Sequence, residues 1–306
     1  VGNEKYEVKE NGIIDKETGE HIENEVLDKA ISAVELLENG GVIHSKKQVD
    51  KFKEVNKRSD IQREVLNEFG NFLFLKVKNE MVSFVEKKIP EQYIPRIFMM
   101  STFADKDGVL IDDGRYLRQK DLIKILNISE RTFITMAKEL DRKKIMHKIS
   151  GKYFKLSKTY FVRGQLPRVQ NKARYIKVFT NTVRELYSNL NISKITHYKA
   201  FIMAVHLLPL LERNTCIPKH INGDKVTVRD LLSMAGINDE KYWRQINYVK
   251  HLKLNNGEQL IKFVTGSFDK ESALNASMVI NPRVFYSGDS ENINEIDYDF
   301  KNILNN

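Results

Sequence analysis

Apolar residues recur at helical spacing over several stretches of the chain, broken by short alternating runs. Ile94, Ile97, Phe98 and Phe103 form one stripe and predict a helix near 93–104. Asp105-Lys106-Asp107-Gly108 then reads as a turn, and Val109-Leu110-Ile111 as a short strand. Leu122, Ile123, Ile125 and Leu126 mark a short helix, and Asn127-Ile128-Ser129 a tight turn with Ser129 as N-cap. The next helix, 130–143, places Phe133, Ala137 and Leu140 on one face. Its other face carries Arg131, Thr132, Thr135, Lys138 and Arg142. Two runs around Ser150-Gly151, namely 145–149 and 152–156, alternate as a β-hairpin does.

The same plan returns further on. Phe74-Leu75-Lys76-Val77 is echoed by Tyr175-Ile176-Lys177-Val178, and Phe98-Met99-Met100 by Phe201-Ile202-Met203. Lys120-Asp121-Leu122-Ile123 is echoed by Arg229-Asp230-Leu231-Leu232. Asn127-Ile128-Ser129-Glu130 returns as Gly236-Ile237-Asn238-Asp239, and Phe161 and Gly164 as Phe285 and Gly288. The offset grows from 101 to 103, 109 and 124, so the second copy has longer loops. Five echoes in one order define an internal duplication. In the second copy, 228–234 is the first short helix and Asn238 the cap. The helix after it is expected to bury Tyr242, Ile246 and Val249 and to expose Lys241, Arg244, Gln245 and Tyr248, with Trp243 on its flank. Residues 260–264 and 277–280 form the longer hairpin, around a polar loop.

The expected fold is mainly α with small β-hairpins (α+β): two tandem winged helix-turn-helix domains, 72–164 and 173–288, joined by a linker at 164–171. Residues 1–71 form an acidic arm, read as frayed or a small hairpin, followed by helices at 25–39 and 45–69. Residues 289–306 form an acidic tail.

Charge sharpens this picture. The net charge is +9, but residues 1–40 carry −7, 283–306 carry −3, and 115–184 alone carry +15. A block of that density attracts a polyanion, because each phosphate neutralised releases counterions. A helix fastened along one narrow stripe leaves the rest of its circumference free to enter a major groove. The expected contacts are Arg118, Lys120, Ser129, Arg131, Thr132, Thr135, Lys138 and Arg142, with Lys148 and Lys152 of the hairpin on phosphates. From the second copy come Arg229, Asn238, Lys241, Arg244, Gln245 and Tyr248. Arginine reads guanine, and glutamine or asparagine reads adenine, through paired hydrogen bonds. Double-stranded DNA is thus the expected partner, with a second copy of the chain and the replication or transcription machinery as further candidates. The competing reading is a protein-interaction module whose charge serves solubility.

Several chemistries find no support. There is no phosphate-binding Gly-rich loop and no His-x-His pair, so no enzymatic activity, cofactor or catalytic residue is expected. Cys216 and His220 alone make half a zinc site, and Cys216 is expected at the surface or in a loop. Tyr286 is read as packing, and Asp105, Asp107, Asp112 and Asp113 as turn residues. No run approaches the roughly 18 apolar residues of a membrane span. The first residues lack a signal-peptide layout, so a reducing, cytoplasmic location is expected.

Three segments carry a family resemblance. Residues 116–122, 128–133 and Tyr160-Phe161-Val162-Arg163-Gly164 resemble the winged-helix segment of replication initiator and regulator proteins from Firmicutes plasmids and phages. Residues 280–288 are similar to the strand-exit segment of that group. The resemblance spans about 72–288. It implies binding to repeated origin DNA, with dimers and monomers in different roles, and it does not separate an initiator from a repressor.

Overall fold

The computed structural model describes residues 6–9, 12–15, 21–23, 29, 57, 60–61, 63–78, 81–82, 88–164, 174–190, 195–238, 242–264 and 269–303. The chain divides into two compact units, 1–60 and 61–306. In the first, β1 (Tyr6–Lys9), β2 (Gly12–Asp15) and β3 (His21–Glu23) form an antiparallel meander, with Tyr6 opposite Asp15 and Gly12 opposite Glu23. The acidic arm is therefore a three-stranded sheet where a frayed arm or hairpin was expected. The helix expected at 25–39 lies outside the described residues except Lys29, which is helical.

The second unit opens with a helix at 63–69, the described part of the one expected over 45–69. Its Val65 and Phe69 are buried. The central sheet follows, mixed in origin: β4 (Phe72–Lys78), β5 (Met81–Val82), β10 (Phe161–Val162), β11 (Arg174–Phe179) and β14 (Phe285–Tyr286). β4 and β11 pair antiparallel in the middle, β10 flanks β4, β14 flanks β11, and β5 adds to β4. The two halves of the duplication therefore share one sheet. Matching bonds fix how they correspond. Phe161 opposes Leu75 and Phe285 opposes Val178, while Lys76 N–H donates to the Tyr160 carbonyl and Phe179 N–H to that of Val284. The strands are thus related by 103 residues, not the 101 read from side-chain similarity.

Two helices cover this sheet. In α1 (Ile94–Ser101) every residue is buried, not only the predicted stripe. It contacts α4 (Thr180–Asn189) and α5 (Ile195–Leu207). One continuous apolar core runs through both copies.

Each copy then projects a pair of helices and a hairpin. In the first these are α2 (Gln119–Leu126), α3 (Glu130–Arg142), β8 (Met146–Ile149) and β9 (Tyr153–Leu156). A small hairpin precedes them, β6 (Ile111–Asp112) and β7 (Arg115–Tyr116), turned by Asp113 and Gly114 at φ 46° and 75°. Positive φ at both turn residues matches the twist of the flanking strands. In the second copy the counterparts are α6 (Val228–Met234), α7 (Tyr242–Lys250), β12 (Ile261–Val264) and β13 (Ser277–Ile280). The long loop of that hairpin holds α8 (Lys270–Leu274).

The expected C-terminal tail is instead a packed helix, α9 (Ile293–Asn302). Ile293 and Phe300 join Val65, Phe69, Phe179, Cys216 and Tyr286 in a second apolar cluster. Asp297 pairs with Arg283 and Lys301, each at 2.7 Å. Acidic composition hid an apolar stripe at helical spacing. Cys216, expected at the surface or in a loop, lies in a loop but is fully buried, and its Sγ donates to the Phe285 carbonyl at 3.8 Å. Among the described residues no helix is long and apolar enough to cross a membrane.

Candidate nucleic-acid interface

The two short helices are set by the same backbone devices in both copies. Arg118 and Thr227 start α2 and α6, and each N–H donates to an aspartate three residues on, Asp121 at 2.9 Å and Asp230 at 2.8 Å. Only the second copy makes the cap reciprocal, with Asp230 N–H donating to Thr227 Oγ1 at 3.2 Å, since the Arg118 side chain has no acceptor. Asp230 also accepts from Thr227 Oγ1 at 2.7 Å and lies 3.2 Å from His220 Nε2. Burial works to raise its pKa, but the bonds from Thr227 and His220 prevail and hold it below the usual range. Asn127 and Gly236 follow in left-handed conformation, φ 50° and 63°. Ile128 N–H then donates to the Ile123 carbonyl and Ile237 N–H to that of Leu232.

Ser129 caps α3 by accepting from Thr132 N–H, and its hydroxyl also bonds that of Thr132 at 2.8 Å. Phe133, Met136 and Leu140 fasten α3 to the core. Its outward side carries Arg131, Ile134, Thr135 and Lys138, all exposed, with Thr132 half-buried. The Thr135 hydroxyl donates to the Arg131 carbonyl at 3.0 Å, which leaves its lone pairs outward. Arg142 is exposed but forms a bidentate pair with Glu139, as close as 2.6 Å. That bond lowers the Glu139 pKa and raises that of Arg142.

Lys148 and Lys152 are exposed on and beside the β8–β9 hairpin. Arg118 and Lys120 are exposed at the start of α2, with the Arg118 guanidinium 6.0 Å from the Tyr153 ring centre. Tyr116 stacks on that same ring, centroids 5.1 Å apart, and remains 51% exposed. Arg115 stands beside it, 4.0 Å from Asp121. Arg115 and Tyr116 were not among the expected contacts. The Asp-Gly turn between β6 and β7 was the signal that would have placed them on a hairpin beside α2. Among the described residues, Lys120, Arg131, Lys138, Lys148 and Lys152 have no carboxylate within ion-pair distance.

The second copy departs from expectation. Gln245 is 7% exposed, not outward, and its Nε2 is buried with no acceptor. It takes the place of Met136, because the buried stripe of α7 runs through Gln245, Ile246 and Val249. Tyr248 is half-buried against the core. Arg229 is occupied: its guanidinium donates to both oxygens of Glu271 in α8 and to Asn275 just after it, each at 3.0 Å. The loop read as simply polar supplies that carboxylate, whose pKa the Arg229 bond lowers. Arg244 and Asn238 are exposed. Lys241 and the side chains of Tyr242 and Trp243 lie outside the described residues.

The dense unpaired charge thus belongs to the first copy, on one helix, its flanking hairpins and the start of α2. Such a surface can hold phosphates in place while α3 offers hydrogen-bonding and apolar groups to base edges. Among the described residues no group of three or more His, Cys, Asp or Glu is placed to hold a metal ion. Set against known proteins, the chain matches no family model, no curated protein and no solved structure.

Proposed function

We propose that this chain is a sequence-specific double-stranded DNA-binding protein built from two winged-helix units. Its role is that of a replication initiator or transcriptional regulator of a plasmid or phage. The observation that carries the reading is the set Arg131, Lys138, Lys148 and Lys152, exposed on α3 and its hairpin without carboxylate partners among the described residues. Unscreened cations held at fixed spacing on a rigid element are what backbone contacts require. In this reading α3 is the recognition helix, β8–β9 is the wing, and α7 with Arg244 reads a second half-site. The test is selection from random duplexes, followed by titration across salt concentrations. A single bipartite motif with affinity falling steeply with salt is expected. Sequence-blind or salt-insensitive binding rejects the reading. A footprint over origin repeats identifies an initiator, and one within a promoter a regulator.

One observation favours a protein partner instead. Ile134 is 39% exposed on α3 and lines a cleft of about 250 Å³ in which Phe133, Ala137, Met146 and Phe154 stand among Lys138, Asp141 and Lys148. A partner seated on the apolar part would bind with a weaker dependence on salt than duplex does.

A further inference from the structure

Arg96 belongs to α1 and is 7% exposed. Its Nε and Nη1 are buried and have no hydrogen-bond partner. Among the described residues no carboxylate lies within ion-pair distance of it. A guanidinium does not shed its proton to escape such a position, and what faces this one is the Tyr93 ring, 5.8 Å from its centre, and the Tyr187 hydroxyl, neither of which carries a negative charge. A buried guanidinium with no carboxylate beside it is the counter-charge an outside anion needs.

The surroundings suit one. Arg96 and Tyr187 line a polar cleft of about 850 Å³ at the turn between α2 and α3. The Tyr187 hydroxyl donates to the Leu126 carbonyl at 2.9 Å. Burial pushes its pKa up, while the Arg96 guanidinium beside it pulls the other way, so the cationic end of Arg96 reaches this turn. Asn127, Ser129 and Thr132 of the turn and Ser188 of α4 complete its polar lining. The wall includes Ser129 and Thr132 at the N-terminus of α3, thirteen residues long, whose hydroxyls can donate and whose dipole favours negative charge. Glu130 in that first turn is not in the lining and accepts from Gln119 Nε2 at 2.9 Å.

We propose that this cleft is an oxyanion site that binds phosphate, either free or borne by a small molecule. Arg96 is its buried counter-charge, and the Ser129 end of α3 supplies hydrogen-bond donors. The cleft falls in the size range of small-ligand pockets, roughly 300–1,000 Å³, and exceeds what inorganic phosphate fills, so a phosphorylated small molecule fits it better. A DNA backbone phosphate shares this chemistry and is the other source. An occupant ties α1, the α2–α3 turn and α4 together, and therefore stabilises the setting of α3. None of this requires that the chain bind duplex.

The test uses the full chain with inorganic phosphate as probe, at constant ionic strength and without DNA. Melting temperature and calorimetric titration should show a saturable response that chloride does not reproduce. Arg96→Met should abolish it. Should that variant fail to fold, Ser188→Glu, an exposed change that sets a carboxylate at the cleft, should fold and bind phosphate roughly tenfold or more weakly. Labelled phosphate challenged with a short duplex then separates the sources: retention marks a free ligand, displacement a DNA backbone phosphate. No saturable response in the parent chain, or a response unchanged in Ser188→Glu, overturns the site.

Discussion

Phe98 and Phe201 meet edge to face, with ring centroids 5.4 Å apart and planes at 75°. They occupy the same position in the two copies of the duplication. A second mated pair closes around them: Phe161 lies 6.0 Å and Phe285 5.7 Å from Phe98, and Phe285 6.4 Å from Phe201. The copies are thus joined through their own duplicated residues, on one side of a sheet that both build. Truncating Phe98 to alanine is expected to cost about 3–5 kcal/mol. Phe201→Ala should cost a similar amount, and the double variant less than the sum, because each ring is the other's partner. Urea unfolding followed by probes in both copies should show one transition; two separated transitions would contradict the shared core.

Asn127 and Gly236 both need a left-handed backbone to turn one helix into the next. A β-carbon at Gly236 meets nothing within 4 Å, so only conformational strain opposes it. Gly236→Ala and Asn127→Ala should each cost about 1 kcal/mol, and Asn127→Gly should be close to neutral. Melting temperatures of the three variants check this ordering.

Arg131 and Arg244 are exposed on α3 and α7. Replacing both with alanine should remove preference among duplex sequences and leave the melting temperature unchanged. Lys148→Ala with Lys152→Ala should weaken all duplexes alike and reduce the salt slope by about 2, one for each phosphate no longer neutralised. Affinity measured on matched and scrambled duplexes across a salt series separates the two effects.

Glu271 holds Arg229 away from any outside anion. Glu271→Gln removes the competing charge and should tighten duplex binding, with a salt slope steeper by about 1. The pair is open to water, so stability should hardly change. An unaltered salt slope would show that Arg229 plays no part in duplex binding.

Lys177 is buried in the shared sheet, donates to the Gly288 carbonyl at 2.6 Å and to Ser290 Oγ at 3.1 Å, and lies 5.1 Å from the Tyr286 ring centre. Burial lowers its pKa to about 8, with Asp289 opposing and Arg213 assisting the shift. Between that value and 10.5 the unfolded chain binds the proton and the folded one does not, so this group makes stability rise with pH in that window. The gain is on the order of 1–3 kcal/mol. Chemical unfolding at both ends of the window should show the rise, and Lys177→Met should flatten it relative to the parent.

The paired helices, their caps and the first hairpin were legible along the chain because each rests on local contacts within a dozen residues. Ser129 and the stripe through Phe133 and Leu140 act at that range, as does the Asp121 cap, which was not read. The strand correspondence was not. A slip of two residues keeps every side chain on its own face, so apolar patterning accepts 101 and 103 equally, and only the matching ladders of β10 on β4 and β14 on β11 separate them. Gln245 was misplaced because Ile246 and Val249 were rightly read as the buried stripe, and a polar side chain gives no sign that the stripe is wide enough to bury it as well. Arg229 looked free because its partner lies 42 residues away in the chain.

Order along the chain therefore determined the repeated helix–turn–helix–hairpin unit and the concentration of positive charge near its first copy. These are properties of neighbouring residues, and propensity and periodicity record them. Which cations stay unpaired, that two copies close over a common core, and that Arg96 is buried with no carboxylate beside it among the described residues were settled by folding. Each depends on groups far apart in the chain meeting at a few ångströms, where a carboxylate's presence or absence changes what a charge can do.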